Sequence, residues 1–135
     1  MSNLLALPLT RLEIQVGNQE DWIDTVKYIA EPIDSENPDP AQVDLRGIEF
    51  EMEVRRSAED HEVVLSGNSD DGSLSIGIPP DYGYLIIYIT SDRMKERLAG
   101  VYVGDIVGRD ESYSRKLIEF DLTIVEGVTK WPSPA

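Results

Sequence analysis

The sequence predicts an all-β antiparallel sandwich of about eight short strands with one short helix. Three observations carry that reading. Across 47–56, GIEFEMEVRR, the apolar residues Ile48, Phe50, Met52 and Val54 alternate strictly with Glu49, Glu51, Glu53 and Arg55. Strand side chains point to opposite faces with a period of two, so this run buries one face and wets the other. Sheets that are wet on one side are usually antiparallel. Comparable runs recur along the chain, separated by turns rich in Gly, Asn, Asp and Pro. Only one stretch has helical spacing.

The 135 residues have the length of one domain. A chain of this size buries enough surface to fold without a covalent staple. It contains no cysteine, which removes disulfides and thiolate metal sites. Twelve Lys and Arg against 26 Asp and Glu give a net charge of −14. That balance opposes binding to phosphate backbones, so no nucleic-acid partner is expected, and it favours a solvated surface. The segment 3–9, NLLALPL, is too short for a signal core and has no basic lead. No run approaches the ~20 apolar residues of a membrane helix. The expectation is a soluble chain made in the cytoplasm, with no membrane partner.

The chain divides into an N-terminal arm at 1–10, a sandwich domain at 11–127 and a C-terminal tail at 128–135. The arm carries Leu4, Leu5 and Leu7 beside Pro8; such arms pack on a neighbour or stay mobile. In 11–16, Leu12, Ile14 and Val16 alternate with Arg11, Glu13 and Gln15. Gly17-Asn18 is a turn signal, and 22–30, WIDTVKYIA, is rich in β-branched and aromatic residues. These two runs are expected to pair as a hairpin. The stretch 31–41, EPIDSENPDPA, holds three prolines and four acids and reads as a loop. Asp34, Glu36 and Asp39 do not have calcium-loop spacing and lack the glycine for its sharp turn, so no metal site is expected there.

The alternating strand at 47–56 ends at 57–61, SAEDH. A short strand follows at 62–66 with Val63, Val64 and Leu65, then a turn at 67–72, GNSDDG. In 73–78 the residues Leu74, Ile76 and Ile78 share a face before Pro79-Pro80-Asp81 breaks the pattern. The run 83–90, GYLIIYIT, is the most apolar; it must be covered on both faces or sit at an interface, because an exposed edge of this kind invites aggregation. A helix of about two turns is expected over 91–99, capped by Ser91 or Asp92, with Met94 and Leu98 on one side and Gly100 ending it. Residues 101–107 and 113–125 form the clearest hairpin, joined by GRDES. Ile118, Phe120, Leu122 and Ile124 oppose Glu119, Asp121 and Thr123. This order of elements reads as an immunoglobulin-like sandwich, although the Cys–Trp–Cys marker is absent.

No arrangement for catalysis stands out. His61 is the single histidine, in an acidic turn, and no nucleophile-elbow glycine pattern surrounds a serine. Zinc held by one His and no Cys would need three carboxylates. The acid pairs Glu59-Asp60, Asp70-Asp71 and Asp110-Glu111 lie in turns, where short polar residues serve the backbone, and offer no cleft for glycosidase chemistry. Gly100, Gly104 and Gly108 are evenly spaced without a following phosphate loop. The expectation is no catalytic residue, no cofactor, no metal ligand and no enzyme activity. Tyr82, Tyr84, Tyr88, Tyr102 and Tyr113 remain; aromatic residues mark sugar-binding faces and protein interfaces, and equally pack cores with their hydroxyls at the rim.

From about residue 12 to 129 the chain resembles a family of small β-sandwich proteins of tailed bacteriophages and prophages. It is similar to the N-terminal domain of upper baseplate proteins and related tail accessory proteins. The likeness lies in QVGNQEDWIDTVKYI, VDLRGIEFEMEVRRSAEDHEVVL, DDGSLSIGIP, DRMKERLAG, VYVGDIVG and YSRKLIEFDLTIVEGVTKW, in that order. Within them Asp44-Leu45, Arg55-Arg56, Gly100-Val101-Tyr102 and Gly127-Val128-Thr129 match the family's punctuation. The 31–41 loop is longer and richer in proline than the family pattern. The resemblance implies a virion structural protein of the tail or baseplate, partnered by other virion proteins and by copies of itself, with no catalytic residues to carry over. Leu4, Leu5, Leu7, Tyr82, Tyr84 and Trp131 are the candidate interface residues, since subunits commonly bury arms and apolar strands on neighbours. Two alternatives stay open: an adhesive sugar-binding module with Tyr82, Tyr84 and Tyr113 as stacking platform, and a capsid decoration protein.

Overall fold

A computed structural model describes residues 2–29 and 43–128. Among these described residues eight strands form two sheets: β1 (Thr10–Gly17), β2 (Trp22–Lys27), β3 (Glu49–Arg55), β4 (Leu65–Asn68), β5 (Leu74–Ile76), β6 (Tyr84–Ile89), β7 (Gly100–Arg109) and β8 (Ser114–Val125). One sheet has the order β1-β8-β7-β3-β4 and the other β2-β6-β5. All pairs are antiparallel except β1 with β8, which is parallel. The expected all-β sandwich is therefore present. Its strand order is that of an immunoglobulin-type domain in which the first strand has moved to the sheet of the last and one strand is added beside the third.

The alternating runs bury what their period dictates. Phe50, Met52 and Val54 of β3 face inward, as do Ile118, Phe120, Leu122 and Ile124 of β8. Strands β7 and β8 form the expected hairpin. A register shift at Ile106/Val107 marks a bulge, and there Leu117 and Ile118 both turn into the core.

Several expectations are corrected. Strands β1 and β2 do not pair as a hairpin: β1 joins β8, β2 joins β6, and the chain changes sheets between them. Buried Asn18 holds that crossing. Its amide donates to the Arg97 carbonyl at 3.2 Å and to Glu126 at 2.8 Å, and its side-chain oxygen accepts the Gly127 N–H at 3.0 Å. Strand β4 starts later than expected, leaving Val63 exposed, and runs through Gly67. A Cβ at Gly67 would lie 2.5 Å from the Ser73 Cβ, so only glycine lets the strand pass there. The Asn68 side chain then accepts the N–H groups of Asp70 and Asp71 to form the turn. Strand β5 ends at Ile76 and leaves Ile78 exposed, because the backbone folds back at Gly77 against the Asp81 carbonyl.

The expected two-turn helix is a single turn, α1 (Ser91–Met94). Its leading N–H, that of Ser91, donates to Asp21 at 2.6 Å, so the cap comes from another connection and not from Ser91 or Asp92. Met94 is buried, but Leu98 is exposed because the chain has left the helical path. The N-terminal segment is not a free arm. It forms a 3-10 turn, Leu4–Ala6, and Leu4 and Leu7 are fully buried in this chain's own core. Leu4 packs near Ile48, Leu117 and Gly108. The boundary expected after residue 10 therefore cuts through the core. The 31–41 loop and the tail beyond Val128 lie outside the described residues.

Two aromatic devices tie the sheets together. The Tyr102 hydroxyl donates to the Leu98 carbonyl at 2.7 Å, the tyrosine corner of immunoglobulin-type domains. Two residues on, where antibody domains carry their second cysteine, stands Gly104. The Phe120 ring covers it, and Trp22 from the opposite sheet meets that ring edge-on at 5.7 Å. The Trp22 indole N–H is satisfied by Asp24 at 2.7 Å. Aromatic packing thus stands in the place of the missing disulfide.

Two outcomes follow for stability. Tyr102→Phe removes the corner bond and is expected to lower unfolding free energy by about 1 kcal/mol in urea titrations, with the β-sheet spectrum retained. Tyr28 behaves in the opposite way. It is buried, and the Thr10 side chain lies near its hydroxyl without completing a hydrogen bond. Burial pushes its ionisation up from 10.0 to about 12, with the Thr10 side chain opposing that rise only in part. The unfolded chain releases this proton first, so stability falls as pH rises through that window. Tyr28→Phe is expected to flatten that alkaline loss and to match or exceed the parent's stability at neutral pH.

Candidate functional site

In a two-sheet sandwich the inward faces form the core, so contacts with other molecules fall to the outer faces, edges and loops. The outer face of the three-stranded sheet is the most apolar. Strand β2 presents Ile23, Thr25 and Lys27 there, and β6 presents Tyr84, Ile86 and Tyr88. Register places Ile23 opposite Tyr88, Thr25 opposite Ile86 and Lys27 opposite Tyr84. Ile23 is 57 % exposed and Tyr88 42 %. No carboxylate stands on these outward positions of β2 and β6, although the chain carries 26 acids.

The run 83–90 was expected to be covered on both faces or to lie at an interface. Strand β6 is the middle strand of its sheet, so both its backbone edges are paired, with β2 and β5. Leu85, Ile87 and Ile89 are fully buried against the other sheet. The opposite face stays open among the described residues. This arrangement removes the edge hazard and keeps an apolar, aromatic surface, the composition of interface cores.

The expected interface residues are divided by the structure. Leu5 is exposed, whereas Leu4 and Leu7 are consumed by this chain's own core and have no surface to offer a neighbour. Tyr84 belongs to the open sheet face, with the Lys27 ammonium 5.5 Å from its ring centre. Tyr82 lies in the turn before β6, half-buried, with the Arg46 guanidinium 4.1 Å from its ring centre. Arg46 is itself held by Asp44 through contacts of 2.6–3.1 Å. Those side-chain bonds, with the Arg46 backbone N–H, keep the Asp44 carboxyl below its ordinary ionisation range. Tyr113 is exposed in the β7–β8 turn. One face of Tyr82 and one of Tyr84 are therefore occupied by cations, while Tyr113 stands exposed in a different turn. Trp131 lies outside the described residues.

Ile23, Ile86 and Tyr88 were not among the expected interface residues. The signal for two of them was present, because 84–89 is apolar at both parities. Ile23 joins them only through the β2–β6 register, which the sequence does not display.

His61 is exposed on the rim of an open trough over the outer face of the five-stranded sheet. Among the described residues no three His, Asp or Glu side chains converge to hold a metal ion. No helix among them is long and apolar enough to cross a membrane.

No protein-family model matches this chain, and no curated protein matches it.

Proposed function

We propose that this chain is a non-catalytic structural subunit of a tailed-phage or prophage particle, acting through protein–protein contact in the tail or baseplate. The observation that carries the interaction role is the apolar outer face of the three-stranded sheet, with Ile23 and Tyr88 paired and exposed toward one end of it. An exposed face of this kind, free of carboxylates in a strongly acidic chain, is suited to burial on a neighbouring subunit. The setting in a phage particle rests on the order of sequence elements shared with small tail and baseplate sandwich proteins.

Particles purified from a producing lysate on a density gradient test both parts. The parent chain is expected to co-migrate with particles at the tail. An Ile23→Asp/Tyr88→Asp variant that keeps its β-sheet spectrum is expected to lose that association roughly tenfold or more, since charges placed in an interface core leave it unsatisfied. Parent protein remaining in the soluble fraction would overturn the particle reading. Undiminished co-migration of the variant would show that this face is not the contact.

A further inference from the structure

The outer face of the five-stranded sheet carries its charges in rows set by register. Arg11, Glu119, Asp105 and Glu53 lie directly opposite one another across β1, β8, β7 and β3. Two residues along, Glu13 stands opposite Asp121, followed by Val103 and Arg55. The connection at 58–61 walls one side, and the whole bounds an open trough of about 1260 Å³.

Like charges directly opposite one another disfavour strand pairing. In the first row the chain compensates internally. Arg11 reaches Glu119 at 2.8 Å, Lys116 bridges Glu119 at 3.1 Å and Asp105 at 3.5 Å, and Arg55 holds Glu53 at 2.8 Å. Among the described residues these three are the only Lys or Arg lining the trough, and each is paired with a carboxylate. Glu13 and Asp121 face each other across β1 and β8 with no ion pair among the described residues. Half-buried Val103 lies next to Asp121, giving the floor an apolar strip beside the uncompensated carboxylates. Since no three acids converge on a point, the negative charge is spread along a surface and does not form an ion cage. Successive outward residues on a strand lie about 6.6–6.8 Å apart, the same interval at which an extended peptide presents alternate side chains.

We propose that this trough receives an extended lysine- or arginine-bearing segment of a partner protein. Its cations neutralise the Glu13–Asp121 pair, and their aliphatic stems lie on Val103. The proposal rests on the reading of the chain as an interaction module. It concerns a second surface, on the other side of the sandwich from the Ile23–Tyr88 face, with a partner chemistry opposite to that of the apolar face.

The test is a titration of the isotope-labelled chain with an eight-residue peptide of alternating Lys and Ser, followed by backbone amide shifts. Saturable shifts confined to 11–13, 103–105 and 119–121 are expected, weakening as salt is raised. Glu13→Gln/Asp121→Asn is expected to weaken binding about fivefold or more. It is also expected to raise the melting temperature of the free chain by about 1–4 °C, because the repulsion is relieved. A residue pair kept only for stability would not show those opposite signs. Asp70→Asn/Glu111→Gln removes the same charge from turns outside the trough and is expected to leave binding unchanged. Absence of saturable shifts, shifts spread over every acidic surface, or equal weakening in that control would overturn the proposal. The Ile23→Asp/Tyr88→Asp variant is expected to bind the peptide as the parent does, so this surface and the apolar face are judged separately.

Discussion

The Phe120 ring packs directly over Gly104 in the core. A Cβ on Gly104 would lie 2.3 Å from the Phe120 Cζ, so the ring sits where a side chain would otherwise be. Strand β8 thereby closes on β7, and the ring is presented to Trp22 of the opposite sheet at 5.7 Å. In immunoglobulin-type domains a disulfide joins the sheets at this level. Here a glycine and two aromatic rings do so without cysteine, a solution that also holds in a reducing environment. The corner bond from Tyr102 to Leu98 fixes β7 two residues away, so the same short stretch of strand anchors both the sheet-to-sheet contact and the connection from β6.

That anchoring leaves the periphery free for other uses. Arg93 of α1 donates to the Ser66 carbonyl on the free side of β4 and to the Ser73 hydroxyl at 2.9 Å. A backbone acceptor at the sheet edge is thus occupied from within the chain, which discourages edge-to-edge pairing. What remains are two unlike outer faces, one apolar and without carboxylates on β2 and β6, the other acidic and walled by the 58–61 connection. On the proposed reading, the two chemically distinct faces contact two different neighbours at once.

Period-two patterning made most of the fold legible. The alternation of Ile48 to Arg55 and of Ile118 to Ile124 identified β3 and β8 and their buried faces, because one side of each strand meets the core. What could not be read was which strands meet. A turn at Gly17-Asn18 looks the same whether the next strand stays in the sheet or crosses to the other, and the outcome is decided by Asn18 reaching Arg97, Glu126 and Gly127 far along the chain. The helix over 91–99 had good local signals, yet Asp21 supplies its cap and the Leu98 carbonyl bonds Tyr102. Leu4 and Leu7 read as an adhesive arm because a short apolar run carries no mark of whether its partner is its own core or a neighbour. The apolar face was half legible, since Tyr84 and the character of 83–90 were visible, but Ile23 joins them only by register.

The most direct test of this account is a double-mutant cycle on Gly104 and Phe120, read by urea unfolding. Gly104→Ala alone is expected to cost about 1–3 kcal/mol, because the new methyl must displace a packed ring. In a Phe120→Leu background, where the clashing ring atoms are gone, the same substitution should cost at least about 1 kcal/mol less. Losses that add within about 0.5 kcal/mol would show that the ring and the glycine do not depend on each other, and would contradict the Phe120–Gly104 contact as the constraint on which the sandwich rests.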